Sequence, residues 1–128
     1  MNARDMHAEM ARWIENVTEP DLAAELSRMK EAVETGDESA FADAFFQDLS
    51  FGTAGLRGTL GAGTNRMNVY TVGRATQGFA DYLNAHFENP SVAIARDSRN
   101  NGELFVRTAA AIFAANGVHA YVYPRISP

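Results

Sequence analysis

Two short polar segments hold the residue types that could do chemistry. The first, FGTAGLRG at residues 51–58, places Arg57 among glycines, which let backbone amides approach a ligand closely. The second, RDSR at residues 96–99, contains Asp97 and two arginines. A guanidinium group offers paired donors that fit phosphate or carboxylate oxygens. Both segments therefore indicate anion recognition, and each is a weak signal when it is taken alone.

The glycine-rich segment differs from the better-known phosphate loops. It lacks the Gly-Lys-Ser/Thr ending of a Walker A motif, and the glycines at Gly61 and Gly63 lack the spacing of a dinucleotide-binding loop. One arginine bracketed by glycines suits a side chain that is aimed into a crowded anionic site.

The charge distribution favours a small anion over a nucleic acid. Residues 1–50 hold twelve acids and four bases, whereas residues 51–128 hold four acids and seven bases. All seven of these bases are arginines, which fits phosphate binding and equally fits the codon usage of a GC-rich genome. Because three excess positive charges make no basic stripe, we expect no nucleic acid partner.

The composition excludes several classes of protein. The chain has 128 residues, of which 46% are hydrophobic and 21% charged, as in a soluble globular protein. There is no cysteine, which rules out disulfides and thiolate sites, and only three scattered histidines remain for zinc. No apolar run approaches the roughly 20 residues that span a bilayer. No secretory signal is visible, so we expect a cytoplasmic protein without a membrane partner.

Residues 1–49 are predicted to form three amphipathic helices that pack rather than react. Helical spacing joins the apolar residues of the first two helices: Met6, Met10, Trp13 and Val17, then Leu22, Leu26, Met29 and Val33. Thr18 and Asp21 match a capping box for the second helix, with Pro20 in its first turn. Gly36 is predicted to end that helix.

A third helix is predicted after Asp37, which can cap it. Its apolar face would hold Phe41, Phe45 and Phe46. The five glycines between residues 50 and 68 then exclude a regular helix there, because each interior glycine costs about 1 kcal/mol relative to alanine.

The next helix is predicted over residues 68–87, with Asn68 as its N-cap. Its buried face follows three/four spacing: Val72, Ala75, Phe79, Leu83 and His86. On this face His86 fits a helix-end or core histidine better than a catalytic base. Asn89 and Pro90 then break the chain.

The last third of the sequence predicts a β-α-β unit. Strands at residues 91–95 and 118–123 flank a helix that Asn100 or Asn101 caps and Gly117 ends, and Pro124 closes the second strand. The apolar positions of the helix are Leu104, Phe105, Thr108, Ala109, Ile112 and Phe113. The predicted core comprises Val92, Ile94, Ile112, Phe113, Val118, Tyr121 and Val122.

This order places the RDSR segment at the carboxyl end of a strand, where open α/β sheets bind ligands. The helix that follows directs free amides and a partial positive charge toward the same loop. A phosphate there could meet Arg99 and backbone donors together, while Asp97 holds an arginine in place. The alternative is a solvated loop with an internal Asp–Arg pair.

Four stretches together resemble the α-D-phosphohexomutases, the phosphoglucomutase/phosphomannomutase superfamily: FGTAGLRG, GAGTNRMN, AIARDSRNNG and YVYPRISP. The resemblance covers residues from about 45 to 128. The helices before it resemble the longer phosphoglucomutase, phosphomannomutase and phosphopentomutase branch. The implied fold is α/β: a partial three-layer domain with a mixed sheet over residues 50–128, preceded by a helical extension over residues 1–49.

The resemblance also implies an activity. In this family a phosphoserine gives its phosphate to a sugar monophosphate, and the bisphosphate turns around and returns its other phosphate. Arg57 would stabilise the phosphoserine, with Thr53, Gly55 and Gly58 shaping that wall. Asp97 and Arg99 would belong to the neighbouring active-site loop. The implied substrates are glucose and mannose phosphates, with pentose phosphate as an alternative; Mg²⁺ and a sugar bisphosphate activator are the implied cofactors.

The sequence also departs from the family pattern. It contains neither a Ser-His-Asn-Pro loop with the catalytic serine nor an Asp-rich magnesium loop, and Ser127 is no replacement because it follows a strand end. We therefore expect an incomplete first domain that is inactive without the remaining domains of a parent enzyme. The alternative is a stand-alone, non-catalytic module that binds a phosphosugar or a protein. A reading frame that continues into a Ser-His-Asn loop would favour the enzyme.

Overall fold

The computed structural model describes residues 5–49, 51–52, 55–56, 59–94 and 102–122, which form two compact units. The first unit, Met1–Asn68, holds α1 (Met6–Asn16), α2 (Pro20–Glu34), α3 (Ser39–Phe45), β1 (Phe51–Gly52) and β2 (Gly55–Leu56). The second, Val69–Pro128, holds α4 (Val69–His86), β3 (Ser91–Ile94), α5 (Gly102–Ala115) and β4 (His119–Val122). The predicted α/β class is confirmed, and the predicted domain boundary near residue 50 stays a prediction.

The three predicted N-terminal helices are present and share one apolar core. Its buried members come from all three helices and the loop that follows: Met10, Leu26, Met29, Phe41, Ala44, Phe45 and Ala62. Phe45 is fully buried, and the Trp13 ring meets it edge-on with 5.9 Å between ring centroids. Phe46 was predicted to join this face but is 50% exposed. Phe41 and Phe45 lie four positions apart on one side of α3, and the next residue turns away from it.

The capping box predicted for α2 is wrong. The N-cap is Glu19, which makes no side-chain capping bond, and Pro20 is the first helical residue. A proline disfavours helical geometry in the residue before it, so Glu19 is extended and the helix cannot begin at Thr18. The fixed φ of proline instead suits the first helical position.

The predicted stop of α2 is confirmed. Gly36 has a φ of 97° and donates its N–H to the Val33 carbonyl at 3.0 Å, while the Asp37 N–H reaches the Ala32 carbonyl at 2.8 Å. This pair of bonds is a Schellman motif. The Asp37 carboxylate then accepts from the Ser39 hydroxyl at 2.7 Å and the Ser39 N–H at 3.1 Å. Asp37 thus caps α3 from one residue before the N-cap position, Glu38.

The second unit contains the predicted parallel β-α-β arrangement. β3 and β4 pair in parallel from Ser91 opposite His119 to Ile94 opposite Val122. Helix α5 ends as predicted at Gly117, whose φ is 74°. The buried residues are Ala80, Leu83, Phe113 and Val118, with Val92, Ile94, Ala109 and Ala120 partly buried against them. The predicted caps Asn100 and Asn101 and the closing residue Pro124 lie outside the described residues.

Two predicted core residues are on the surface. Tyr121 is 55% exposed and Val122 is 47% exposed. Neighbouring side chains point to opposite faces of a strand, so one covering layer cannot bury both Tyr121 and Val122. The prediction that both residues are buried required a covering layer on each face of β4. Within the described residues, neither side chain is covered in this way.

The buried face of α4 is rotated relative to the prediction. Thr76 and Ala80 are buried, whereas Phe79 is partly exposed and His86 is exposed. Small residues let α5 approach closely: a Cβ on Gly73 would lie 3.2 Å from the Ile112 Cδ1. The His86 Nδ1 lies 2.9 Å from the Tyr82 carbonyl at the helix end, as expected for a helix-end histidine.

None of the helices in the described residues has the length and hydropathy needed to cross a membrane.

Candidate functional site

The glycine-rich motif begins as a short hairpin. β1 and β2 run antiparallel, with Phe51 opposite Leu56 and Gly52 opposite Gly55. The chain therefore reverses direction between two glycines in the middle of FGTAGLRG. Of the predicted site residues in this motif, Gly55 lies in β2. Thr53, Arg57 and Gly58 lie outside the described residues, so their predicted roles remain predictions.

Hydrogen bonds close the base of this hairpin. The Leu49 N–H, two residues before β1, donates to the Thr64 carbonyl at 2.7 Å. The Thr64 hydroxyl donates to the Gln47 carbonyl at 2.8 Å, and Thr64 itself is buried. The chain entering the motif is thus joined to the chain that leaves it. The two ends of the segment that contains the motif cannot separate without losing these bonds.

The segment after the motif, residues 59–68, is ordered by its own hydrogen bonds. The Met67 N–H donates to the Thr59 carbonyl at 2.8 Å, and the Gly61 N–H donates to the Met67 carbonyl at 3.1 Å. Asn68 is buried and its side-chain amide donates to the carbonyls of Gly61 at 2.8 Å and Gly63 at 3.2 Å. Helix α4 starts directly after Asn68, at the predicted position. We call residues 59–68 the anchor loop.

The preceding helices hold the anchor loop from outside. From α2, the Glu25 carboxylate accepts the Ala62 N–H at 2.8 Å. From α3, the Ala44 carbonyl accepts the Asn65 N–H at 2.9 Å. The Arg66 guanidinium binds the Asp43 carboxylate and donates to the Asp43 carbonyl at 3.0 Å. Arg66, one of the seven arginines in residues 51–128, thus links the anchor loop to α3.

Two glycines of the anchor loop are required by the geometry. Gly63 has a φ of 124°, and a Cβ there would lie 2.6 Å from the Ala44 carbonyl oxygen. Gly61 has a φ of 147°, and a Cβ there would lie 2.8 Å from a Glu25 carboxylate oxygen. Side chains rarely adopt such φ values. The GAGTN stretch therefore fits against α2 and α3 only because these positions lack side chains.

The second predicted segment follows the parallel strands. Because β3 and β4 are parallel and in register, they end together at Ile94 and Val122. Residues 95–101 lead from that edge into α5, which begins at Gly102. Asp97 and Arg99 lie outside the described residues. In the sequence both residues lie between β3, which is described to Ile94, and α5, which is described from Gly102.

The sequence interpretation missed the residues that hold the anchor loop. Glu25 falls between Leu22 and Leu26 on the face of α2 that turns toward the core. An acid inside an apolar stripe is the signal that could have identified it. Asp43 stands on α3 among apolar residues, and its pairing with Arg66 spans 23 positions of sequence, which no local pattern reveals.

Among the described residues no group of three or more His, Asp or Glu side chains could hold a metal ion. In the cap of α3, the hydroxyl and N–H of Ser39 donate to the Asp37 carboxylate and lower the pKa of Asp37.

The antiparallel glycine-rich hairpin and the parallel β-α-β unit place the chain in the α/β class. Residues 48–128 match the family of the phosphoglucomutase/phosphomannomutase α/β/α domain I. The chain belongs to this family, which confirms the resemblance seen in the sequence.

Curated relatives support the same assignment. The chain is 38% identical over 112 residues to a phosphoglucomutase of Staphylococcus saprophyticus, covering 88% of this chain and 19% of that protein. It is 34% identical over 137 residues to a phosphopentomutase of Mus musculus, covering 100% of this chain and 22% of that protein. The chain thus spans about a fifth of the length of these relatives. No solved structure matches it.

Proposed function

We propose that this chain supplies the first α/β domain of a mutase that interconverts hexose 1-phosphate and hexose 6-phosphate, with glucose and mannose phosphates as substrates. The observation that carries the proposal is the family match over residues 48–128, which includes both predicted phosphate segments. The anchored hairpin supports it, because a loop that is fixed before the substrate arrives costs less to order on binding.

The proposed reaction moves a phosphoryl group twice. A phosphoserine transfers its phosphoryl group to the free hydroxyl of a sugar monophosphate, which gives a sugar bisphosphate and a free serine hydroxyl. After the bisphosphate turns around, the serine hydroxyl attacks its other phosphate, which restores phosphoserine and releases the isomeric monophosphate. The serine belongs to a part of the enzyme beyond these 128 residues. Our chain supplies positioning and charge, the main protein contributions to such transfers.

Arg57 is the residue of this chain that we propose as catalytic. Its guanidinium would donate to two oxygens of the transferring phosphoryl group, whose charge it stabilises. The glycines Gly55 and Gly58 would let backbone amides approach the same oxygens, and Thr53 would complete that wall. The closed base between Leu49 and Thr64 would hold these donors in place before the substrate binds.

Arg99 is proposed as a second phosphate contact, with Asp97 orienting an arginine of the same segment. The free N–H groups in the first turn of α5 would add a partial positive charge to that segment. Helix α5 has 14 residues, long enough for the aligned peptide dipoles to contribute.

Magnesium and a sugar bisphosphate activator are proposed for the complete enzyme. The sequence contains no Asp-rich magnesium loop, so we propose that the ion binds to another part of the enzyme. The proposal includes a cytoplasmic location, and the sugar phosphate and the remaining domains as partners.

Two alternatives are considered, and the first has specific support. A pentose phosphate substrate is supported by the mouse phosphopentomutase, which aligns over the whole chain. A non-catalytic phosphosugar- or protein-binding module would need the same phosphate segments but no serine loop. Isomerisation of ribose 1-phosphate by the complete protein in preference to glucose 1-phosphate would establish the first alternative.

The test of the phosphate site is an NMR titration of the 128-residue chain with inorganic phosphate, glucose 1-phosphate and glucose 6-phosphate. We expect shifts at residues 51–58 and 96–101 with millimolar affinity, about −4 kcal/mol, which weakens as salt rises. Arg57→Ala should abolish the shifts at residues 51–58. Arg107→Ala, which removes an exposed arginine of α5, is the matched control and should preserve them. Shifts confined to other residues would refute the site.

A further inference from the structure

The Glu25 side chain of α2 is hydrogen-bonded to the anchor loop, the segment that follows the glycine-rich motif. Glu25 is partly buried, and its carboxylate accepts the Ala62 N–H at 2.8 Å across 37 positions of sequence. The same carboxylate lies against Gly61, where a Cβ would come within 2.8 Å of Oε1 and 2.9 Å of Oε2. Hydrogen bonds to an ionised acceptor are stronger than those between neutral groups.

The contact falls at the centre of the anchor loop. Ala62 is itself buried in the core of the three helices, so its backbone is held on one side by packing and on the other by Glu25. The neighbouring residues Gly61 and Gly63 both accept from the buried Asn68 amide. Thr64, two residues on, closes the base of the hairpin by accepting the Leu49 N–H. A shift at Ala62 would therefore be transmitted directly to that base.

We infer that Glu25 is a positioning residue for the phosphate segment at residues 51–58, an inference that rests on the proposed function. Its proposed role is indirect, through the backbone of Ala62. It fixes the anchor loop, and the anchor loop fixes the base from which the hairpin projects. The helical extension would then be part of the machinery that shapes the phosphate site, in addition to a packing element.

Amide hydrogen exchange on the full chain tests this inference, with Glu25→Ala, Glu25→Gln and the control Glu31→Ala. Glu31 is an exposed glutamate of the same helix. We expect Glu25→Ala to speed exchange at Ala62 by about tenfold to a hundredfold and to speed exchange in β1 and β2, while the buried amides of α2 and α3 keep their rates. Glu25→Gln keeps an acceptor oxygen and should stay within about threefold of the wild type at β1 and β2.

Other results overturn the inference. Equal acceleration throughout the first unit would make Glu25 a purely structural residue, and faster exchange at Ala62 without any change in β1 and β2 would remove the link to the hairpin. If Glu25→Ala does not fold, Glu25→Asp decides, because its carboxylate is one methylene shorter and should lose the Ala62 N–H. Faster exchange at Ala62 and in β1 and β2 with an unchanged core supports positioning, whereas unchanged rates in β1 and β2, or parallel loss in the core, refute it.

Phosphate binding gives the second readout. If Glu25→Ala lowers the population of the competent hairpin to a third, the affinity for inorganic phosphate falls about threefold, while Glu31→Ala leaves it unchanged. An unchanged affinity in Glu25→Ala contradicts positioning. A wild-type chain that binds no phosphate contradicts the proposed function instead, and the exchange rates still decide whether Glu25 orders the hairpin.

Discussion

Three glycines of the first unit have a described geometry: Gly36, Gly61 and Gly63. Of the three possible glycine-to-alanine substitutions, Gly63→Ala should destabilise the unit most. The backbone φ of 124° is one that side chains rarely adopt, which costs about 1–3 kcal/mol. The new Cβ would also lie 2.6 Å from the Ala44 carbonyl oxygen and 2.8 Å from the Ala44 Cβ. Relief of such overpacking costs a further 1–3 kcal/mol or so.

Gly36→Ala is the matched control for this substitution. Gly36 also has a positive φ, 97°, but nothing lies within 4 Å of a Cβ placed there. Its cost should therefore be the backbone term alone, about 1–2 kcal/mol. The difference between the two variants isolates the clash with Ala44, about 1–3 kcal/mol.

Urea denaturation followed by tryptophan fluorescence measures both variants. The single tryptophan, Trp13, contacts Phe45 in the core of the first unit and reports its unfolding. We expect a clearly lower urea midpoint for Gly63→Ala than for Gly36→Ala at a similar slope. Equal midpoints would show that the anchor loop moves away from α3 without cost, and would refute the argument that it is held in place there.

Three further predictions follow from other parts of the chain. Phe45→Ala should cost about 3–5 kcal/mol because Phe45 is fully buried, whereas Phe46→Ala, at a half-exposed position, should cost about 1 kcal/mol or less; urea midpoints compare the pair. The hydroxyl and N–H of Ser39 hold the pKa of Asp37 below its ordinary value of 3.8. Its contribution to stability is therefore present above about pH 4 and is lost as the pH falls through the lowered pKa, so Asp37→Asn should flatten the acid limb of a plot of thermal midpoint against pH. Arg57→Lys in the complete enzyme should lower kcat about a hundredfold to a thousandfold with little change in thermal midpoint, because lysine keeps the charge but loses the paired donors; near-normal kcat would show that Arg57 supplies only diffuse charge.

Sequence patterns predicted well those features that depend on neighbours along the chain. Helix stops at Gly36 and Gly117 were predicted because a left-handed residue is a local requirement that glycine meets. The parallel pairing of β3 and β4 was predicted from element order, since a β-α-β sequence leaves few other arrangements.

Features that depend on distant partners were predicted less well. The buried face of α4 was predicted in part: Val72 and Leu83 are buried as predicted. The contribution of Gly73 and Ala80 was missed, because small residues look unremarkable until another element is packed beside them. The exposure of Tyr121 and Val122 was missed because an apolar strand does not reveal how many layers cover it. In each case the burial of a side chain depends on how much surface another element covers. The spacing of residues along one helix or strand does not give that area.

The candidate site divides in the same way. Its proposed chemistry comes from the sequence, because a guanidinium group among glycines suits an anion, and it stays a prediction. The residues that support it were not predicted: only the folded chain brings Glu25, Asp43 and Asn68 into hydrogen bonds with the anchor loop. A sequence motif identifies candidate phosphate-binding groups. The geometry of those groups also depends on hydrogen bonds made by residues outside the motif. Gly61 and Gly63 illustrate the difference between sequence and fold. In the sequence they only exclude a regular helix, whereas in the fold they are positions where the backbone packs closely against α2 and α3.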